Sequence, residues 1–303
     1  MGYYNSMQDL IGNTPIVKLG NIQNNPDVNI FAKLELYNPS GSVKDRVGKY
    51  MVKDAEKKGI LKAGGTIVEA TAGNTGLGIT FATLNKGYRV ILVVPEKFSQ
   101  EKQTLLKALG AEIVNTPREK GMLGADEKAD EIRSSIPGAI SFKQFENSNN
   151  PLSHYETTGP EIYNDLNGKI DYFIAGAGSG GTYTGVVRYL KEKNPHIVGV
   201  LADPIGSIIG GGEHGDYDIE GIGNDFIAET MDITLVDKVI KITDDDAFSG
   251  ARKLALKEGI FAGSSSGAAF AAAEKLIKQG AKGNIVILLP DRGDRYFSKN
   301  LYE

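Results

Sequence analysis

The chain has 303 residues, with 34 basic and 38 acidic side chains and a net charge of −4, which leaves no broad basic surface for nucleic acid or an anionic membrane face. It has no cysteine, so disulfide scaffolds, thiolate nucleophiles, iron–sulfur ligation and cysteine-based zinc sites are excluded. A chain of this length buries a large core in one or two domains, here two lobes around a cleft, with a small molecule as the default partner.

The amino terminus, MGYYNSMQDLIGNTP, has no charged stretch leading into an apolar run, and no segment approaches the roughly 20 apolar residues of a membrane-spanning helix. A soluble, cytoplasmic protein is expected. Residues 38–46, NPSGSVKDR, then place Lys44 after a glycine/serine turn, at the start of the amphipathic stretch VGKYMVKDAEKKG. A cation in a first helical turn opposes the helix dipole. Lys44 is either a solvated lysine or an amine held near an electrophile, where desolvation lowers its pKa and makes it nucleophilic.

Six β-branched runs follow: TIVEA (66–70), RVILVVP (89–95), AEIVNT (111–116), DYFIAGAG (171–178), HIVGVLAD (196–203) and NIVILLP (284–290). Between them lie helical stretches such as SQEKQTLLKALG and GTYTGVVRYLKEKNP. Strands alternating with helices predict an α/β protein with parallel sheets covered on both faces.

Two glycine-rich turns leave these strands. After TIVEA, the residues Thr71, Ala72, Gly73, Asn74 and Thr75 lead into a helix. Backbone amides, two hydroxyls and an amide there suit a carboxylate or phosphate, while an ordinary strand-to-helix turn would use the same glycine. After DYFIAGAG, Gly176, Gly178 and Gly181 satisfy G-x-G-x-x-G, and Asp203 ends the next strand. That pattern is shared with dinucleotide-binding units. The glycines nevertheless crowd around Ser179 and end at Thr182, a loop able to close on a terminal phosphate. Residues 201–226 are glycine-rich and acidic, with GGGEHGDYD read as a surface loop. In FAGSSSGAAFAAAEKL, Ser264 to Ser266 either cap a helix or offer a neutral hydroxyl to a heterocycle. The three histidines, His154, His196 and His214, have no metal-ligand spacing, so a metal site is not expected. Together, a reactive lysine, an anion turn, a phosphate turn and a serine turn match the needs of a phosphorylated aldehyde cofactor with a pyridine nitrogen.

The motifs LIGNTPIVKL, NPSGSVKDR, TAGNTG, GSGGT, GSSSGAA and LLPDRGDRY occur in the order seen in the cysteine synthase and cystathionine β-synthase family, pyridoxal-phosphate enzymes of fold type II. The resemblance runs from about Met7 to Tyr302. It implies two open, twisted, mostly parallel sheets with the active site between two domains. Residues 1–42 plus 147–303 would form the larger domain and carry the phosphate loop; 43–146 would form a smaller, mobile one. It further implies that Lys44 forms the Schiff base with pyridoxal 5′-phosphate and later moves the substrate's α-proton. Asn74 would meet the ring hydroxyl, Gly178, Ser179, Gly180, Gly181 and Thr182 the phosphate, and Ser265 the pyridine nitrogen. Thr71, Ala72, Gly73, Asn74 and Thr75, with Gln144, match the loop for the substrate carboxylate.

A serine at the pyridine nitrogen leaves that nitrogen largely unprotonated, which suits β-elimination and replacement better than transamination. The implied reaction removes a leaving group from a serine, O-acetylserine or cysteine-type substrate, passes through an α-aminoacrylate, and adds a second nucleophile. Homocysteine giving cystathionine ranks first, then sulfide giving cysteine, then water after cysteine has lost sulfide. Ala72 stands where cysteine-forming members usually carry serine, and EGIGNDF, with Asp225, resembles the cystathionine β-synthases. Asp225 reads equally as a solvated turn aspartate or as a catalytic carboxylate facing the incoming group. A homodimer is implied, a serine acetyltransferase partner is left open, and an end at Glu303 leaves no room for a tandem regulatory domain or a haem segment. A nicotinamide-dependent oxidoreductase and a non-catalytic binding protein remain as readings of a different class.

Overall fold

The computed structural model describes residues 2–22, 25–71, 73–96 and 99–303. In chain order the elements are β1 (Ile16–Lys18), β2 (Val28–Leu34), α1 (Lys44–Lys57), β3 (Thr66–Ala70), α2 (Asn74–Thr83), β4 (Arg89–Pro95), α3 (Gln100–Ala108), β5 (Glu112–Thr116), α4 (Gly121–Ser135) and α5 (Asn149–Ser153). A π-helical turn, His154–Thr158, joins α5 to α6 (Gly159–Asp165). There follow β6 (Tyr172–Ala175), α7 (Gly181–Lys193), β7 (Val198–Pro204), β8 (Lys238–Ile242), α8 (Asp244–Glu258), α9 (Ser264–Lys278) and β9 (Gly283–Leu289).

Two sheets result. One has six strands in the order β1-β2-β9-β6-β7-β8, parallel throughout except for the antiparallel β1–β2 pair. The other has three parallel strands, β3-β4-β5, prolonged by a parallel bridge between Ile67 and Ile140. Successive strand side chains point to opposite faces, and β9 shows what that does. Ile285, Ile287 and Leu289 pack against the alanine-rich face of α9, whereas Val286 and Leu288 pack on the other side with Tyr183, Val186, Val187 and Leu190 of α7. In β4, Val90, Leu92 and Val94 join Val47 and Met51 of α1, while Ile91 and Val93 join Ala125 and Ala129 of α4. Strands covered on both faces read as near-continuous apolar runs, which is why β4 and β9 were visible in the sequence.

Three strands were not: β1, β2 and β8. In β2 the apolar run is broken by Lys33, which is fully buried; its Nζ donates to the Thr14 carbonyl at 2.6 Å and pairs with Glu161 at 2.9 Å. In β8, KVIKI, Lys241 pairs with Asp203 at 2.6 Å. The glycine-rich segment after β7 is only partly a surface loop. Gly211 to His214 are exposed, but Ile209, Ile219 and Ile222 are buried, and the Gly223 amide donates to the Ala177 carbonyl at 2.7 Å. This segment is therefore packed on the turn after β6.

The close crossing of α1 and α2 brings the Lys44 turn to the Asn74 turn. A Cβ at Gly48 would collide with the backbone of Gly78, and one at Gly78 with the Lys44 carbonyl. Two glycines facing each other let the helix backbones touch.

Candidate active site

Lys44 is the first residue of α1 and is partly buried. Burial pushes its amine down to about 8, opposed in part by the Asp291 carboxylate. Its Nζ makes no hydrogen bond among the described residues. The amine is desolvated and unengaged, and its lowered pKa raises the fraction in the neutral form that a carbonyl-seeking lysine needs.

On one side of the cleft lies the turn between β3 and α2. Thr71 Oγ1 accepts from the amides of Gly73 and Gly76, at 3.1 and 3.2 Å, so this hydroxyl shapes the turn. The first amides of α2, at Asn74 and Thr75, precede any intrahelical acceptor and face outward from the helix end. Thr75 Oγ1 donates to Gln144 Oε1 at 2.5 Å, which brings those two sequence-predicted residues together. Gln144 is fixed from behind by Glu69 of β3, whose fully buried carboxylate accepts from Ser141 Oγ and the amides of Phe142 (both 2.8 Å), Lys143 and Gln144 (both 3.3 Å). The position of Ala72 lies outside the described residues.

Asn74 is engaged across the cleft. Its Nδ2 donates to Asp291 Oδ2 at 2.7 Å and its Oδ1 accepts from Arg295 Nη1 at 2.6 Å. Asp291 also accepts from the Tyr296 hydroxyl at 2.5 Å, and its other oxygen is buried without a partner among the described residues. Asp291 therefore faces both Asn74 and Lys44. It lies in LLPDRGDRY, a motif visible in the sequence without a role for this residue. Lys102 of α3 reaches the same cluster, donating to Glu220 at 2.8 Å and Tyr296 Oη at 3.2 Å.

On the other side, the turn between β6 and α7 is built by collision. A Cβ at Gly178 would stand 2.7 Å from the Gly221 carbonyl; at Gly180 (φ +79°) it would strike Met231, and at Gly181 the Asn150 side chain. Ser179 is buried and its Oγ accepts from Asn150 Nδ2 at 2.9 Å. Thr182 Oγ1 pairs with His154 Nε2 at 3.2 Å, and His154 Nδ1 with Thr158 at 3.0 Å. Burial, with Arg46 and Lys44 nearby, holds this imidazole well below its usual pKa, so it is a neutral partner for the turn. Ser265, in the first turn of α9, is buried with no hydrogen bond among the described residues; its neighbour Ser264 accepts from the Glu220 amide at 3.1 Å.

Asp203, the acid of the dinucleotide pattern, is fully buried and held by Lys241 and by the Gly210 amide at 3.0 Å, so it is not presented to a ribose. Asp225 is exposed and makes no hydrogen bond or ion pair among the described residues. Its neighbour Phe226 packs edge-on against Phe145 with centroids 5.4 Å apart, which sets the Asp225 loop beside Gln144. Among the described residues, no group of three or more histidines and carboxylates is arranged to hold a metal, and no helix is long and apolar enough to cross a membrane.

The fold and the cleft define an α/β protein of fold type II, in which the unengaged Lys44 stands between the glycine-containing turns after β3 and β6. The unengaged Lys44 amine, the glycine cradle at residues 178–181, the free Ser265 hydroxyl and the unpartnered oxygen of Asp291 fit a phosphorylated pyridine aldehyde. The chain belongs to the pyridoxal-phosphate dependent enzyme family, whose model matches residues 7–291. It is 47% identical over 296 residues to an O-acetylserine dependent cystathionine beta-synthase of Bacillus subtilis, covering 97% of this chain and 96% of that one. It is 46% identical over 300 residues to a cysteine synthase of Helicobacter pylori, covering 98% of each. A crystal structure of a hydrogen sulfide-producing enzyme from Fusobacterium nucleatum superposes with a TM-score of 0.94 at 40% identity, over 97% of this chain and all of that one. Near-equal identity to proteins with three differently named activities leaves the reaction partners to be argued from the site.

Proposed function

We propose that this chain catalyses β-replacement on O-acetylserine or a related serine- or cysteine-type amino acid, with homocysteine as the favoured second substrate and sulfide as the alternative. The observation that carries the reading is Lys44: an unpartnered amine with its pKa brought to about 8, set between the two turns. When bound, pyridoxal phosphate supplies a conjugated ring that withdraws electrons from the substrate's α-carbon. This chain's residues do the rest. Lys44 anchors the cofactor and takes the α-proton. Thr71, Gly73, Asn74, Thr75 and Gln144 hold the substrate carboxylate, with Asn74 also reaching the ring hydroxyl. Gly178, Ser179, Gly180, Gly181 and Thr182 hold the phosphate, and the Ser265 hydroxyl meets the pyridine nitrogen without charging it. Alanine at 72 removes a hydroxyl from the substrate side, and Asp225 brings a carboxylate near it, both in favour of the larger, ammonium-bearing nucleophile.

The proposal extends to assembly and motion. Tyr4, Met7, Leu10, Leu36 and Tyr37 line a surface cavity of about 390 Å³, and Tyr3, Tyr4 and Tyr37 are 79%, 67% and 63% exposed. An aromatic face of this kind supports a homodimer. Residues 43–146 form the unit that moves against 1–42 plus 147–303, with Asn74–Asp291 and Lys102–Glu220 as exchangeable contacts between them. The reaction takes place in the cytoplasm on small amino acids.

The test is incubation of purified protein with O-acetylserine, serine or cysteine, each with sulfide or homocysteine, and identification of products by mass. Cystathionine from O-acetylserine and homocysteine is expected as the fastest product. Lys44→Ala should lower turnover by at least about a thousandfold without lowering the melting temperature. A colourless wild type that binds NADH would overturn the assignment.

A further inference from the structure

We propose that Asn150 is a positioning residue that couples the two binding turns, so that the phosphate side and the carboxylate side of the cleft are ordered through one amide group. The proposal rests on the reading of those turns given above. Asn150 lies in α5, between the turns, and is fully buried. Its Nδ2 donates to two acceptors at once: the Gln144 carbonyl at 2.9 Å and Ser179 Oγ at 2.9 Å. The carbonyl can only accept, so the amide orientation is fixed by chemistry, with nitrogen toward Gln144 and oxygen toward Gly181.

Each of the two bonds does something different. Donation to the Gln144 carbonyl holds the backbone from which the Gln144 side chain reaches Thr75 Oγ1. Donation to Ser179 Oγ fills an acceptor site of that hydroxyl and leaves its proton free to be given to an anion in the turn. The Ser179 carbonyl is held separately, accepting from Thr230 Oγ1 at 2.5 Å. Asn150 Oδ1 has no partner among the described residues and stands over Gly181, in space that any Cβ at 181 would occupy. One buried side chain thus touches the carboxylate side through Gln144 and the phosphate side through Ser179 and Gly181. Displacing that side chain removes support from both ends at once, so the two sites depend on one group.

Holoenzyme is the material for the test, with two readouts that need no turnover. One is release of pyridoxal phosphate on dilution. The other is affinity for L-alanine, which has a carboxylate but no β-leaving group, read from the visible absorbance. Ser179→Ala should speed cofactor release while changing L-alanine affinity less than about twofold. Gln144→Ala keeps its backbone carbonyl, and should weaken L-alanine while leaving release within about twofold. Asn150→Ala should change both by about tenfold, the lower part of the usual range for coupled sites. Combined with Gln144→Ala it should weaken L-alanine no further, and combined with Ser179→Ala it should speed release no further. Asn150→Asp, which keeps the size, should reproduce the two-sided loss by placing oxygen against the Gln144 carbonyl; melting temperatures show which variants are folded. A folded Asn150→Ala or Asn150→Asp that moves only one readout, or effects that simply add in the double variants, overturns the coupling. A wild type lacking the cofactor absorbance, or indifferent to L-alanine, would instead overturn the reading of the turns themselves.

Discussion

The turn after β3 and the turn after β6 are both strand-to-helix turns with glycines, yet they are made in different ways. The turn after β6 is confined by sterics, since Gly178, Gly180 and Gly181 leave no room for a Cβ against Gly221, Met231 and Asn150, and Asn150 and Thr230 hold its Ser179. The turn after β3 is held by side chains that have found partners: Thr71 on two amides, Thr75 on Gln144, and Asn74 on Asp291 and Arg295. A cradle set by collisions is ready before its ligand arrives, which suits the permanently held phosphate proposed for it. A turn held by exchangeable hydrogen bonds can give them up to an entering group, which suits the substrate carboxylate proposed for it.

The largest expected effect follows from the steric turn. Gly181→Asp drives a side chain into Asn150 and a negative charge toward the phosphate, a repulsion worth several kcal/mol in a desolvated site. Cofactor affinity should fall at least about a hundredfold, measured by absorbance after dialysis, while the three-stranded sheet keeps its stability. Full cofactor occupancy in a folded variant would place the phosphate elsewhere and dissolve the contrast between the turns.

Thr75→Val tests the other turn. It removes the donor to Gln144 Oε1 and leaves a buried acceptor unpaired, which costs about 1–3 kcal/mol. The amino-acid substrate should bind about tenfold more weakly and the cofactor should stay bound. If the valine variant loses cofactor as readily as Gly181→Asp, the two turns are one mechanical unit and the distinction is wrong.

A third measurement concerns Lys44, which stands between the turns. Its lowered pKa of about 8 means that the neutral amine is gained as pH rises through 8. At pH 7 roughly one amine in ten is neutral, against about one in three thousand for an unperturbed lysine. Cofactor uptake by the apo-protein, followed by its visible absorbance, should therefore rise about tenfold from pH 6 to pH 7 and level off above about 8. A rate still climbing at pH 10 would show that the amine is not desolvated before the turns are filled.

How far the sequence could be read follows the same division. The steric turn was legible because glycine spacing is written directly in GAGSGG, and the strands β4 and β9 because burial on both faces makes their central runs apolar. Side-chain pairing left much weaker traces. The fully buried Arg46, at 2.7 Å from both Glu35 and Glu161, and Lys33 in β2 look in the sequence like ordinary surface charges; only long-range partners make their burial tolerable. Asn150 and Glu69 act in large part through backbone groups of residues 142–144, and no spacing rule reports a hydrogen bond to a carbonyl or amide. Asp291 was visible inside LLPDRGDRY, but its place opposite Asn74 and Lys44 depends on β9 ending at the same edge of the cleft as α1 begins.

The smallest effect is expected at Asp225, which belongs to neither turn. It is exposed and unpaired among the described residues, so nothing in the resting arrangement prevents its being a plain surface aspartate. Its loop is nevertheless anchored on both sides of the cleft: Phe226 packs on Phe145, next to Gln144, and Thr230 Oγ1 donates to the Ser179 carbonyl. In the proposed reaction, a carboxylate carried on that span would attract the ammonium end of a homocysteine or take a proton from an entering nucleophile. Asp225→Asn keeps size and removes the charge. The first half of the reaction, read from the cofactor absorbance on adding O-acetylserine, should be unchanged, and the second half with homocysteine should slow by up to about tenfold, or roughly 1.4 kcal/mol of transition-state stabilisation. Sulfide, which has no ammonium group, should be affected less than homocysteine. Equal rates for the two nucleophiles in wild type and variant would return Asp225 to the solvent and leave the choice of nucleophile to the side of the cleft that carries Thr75 and Gln144.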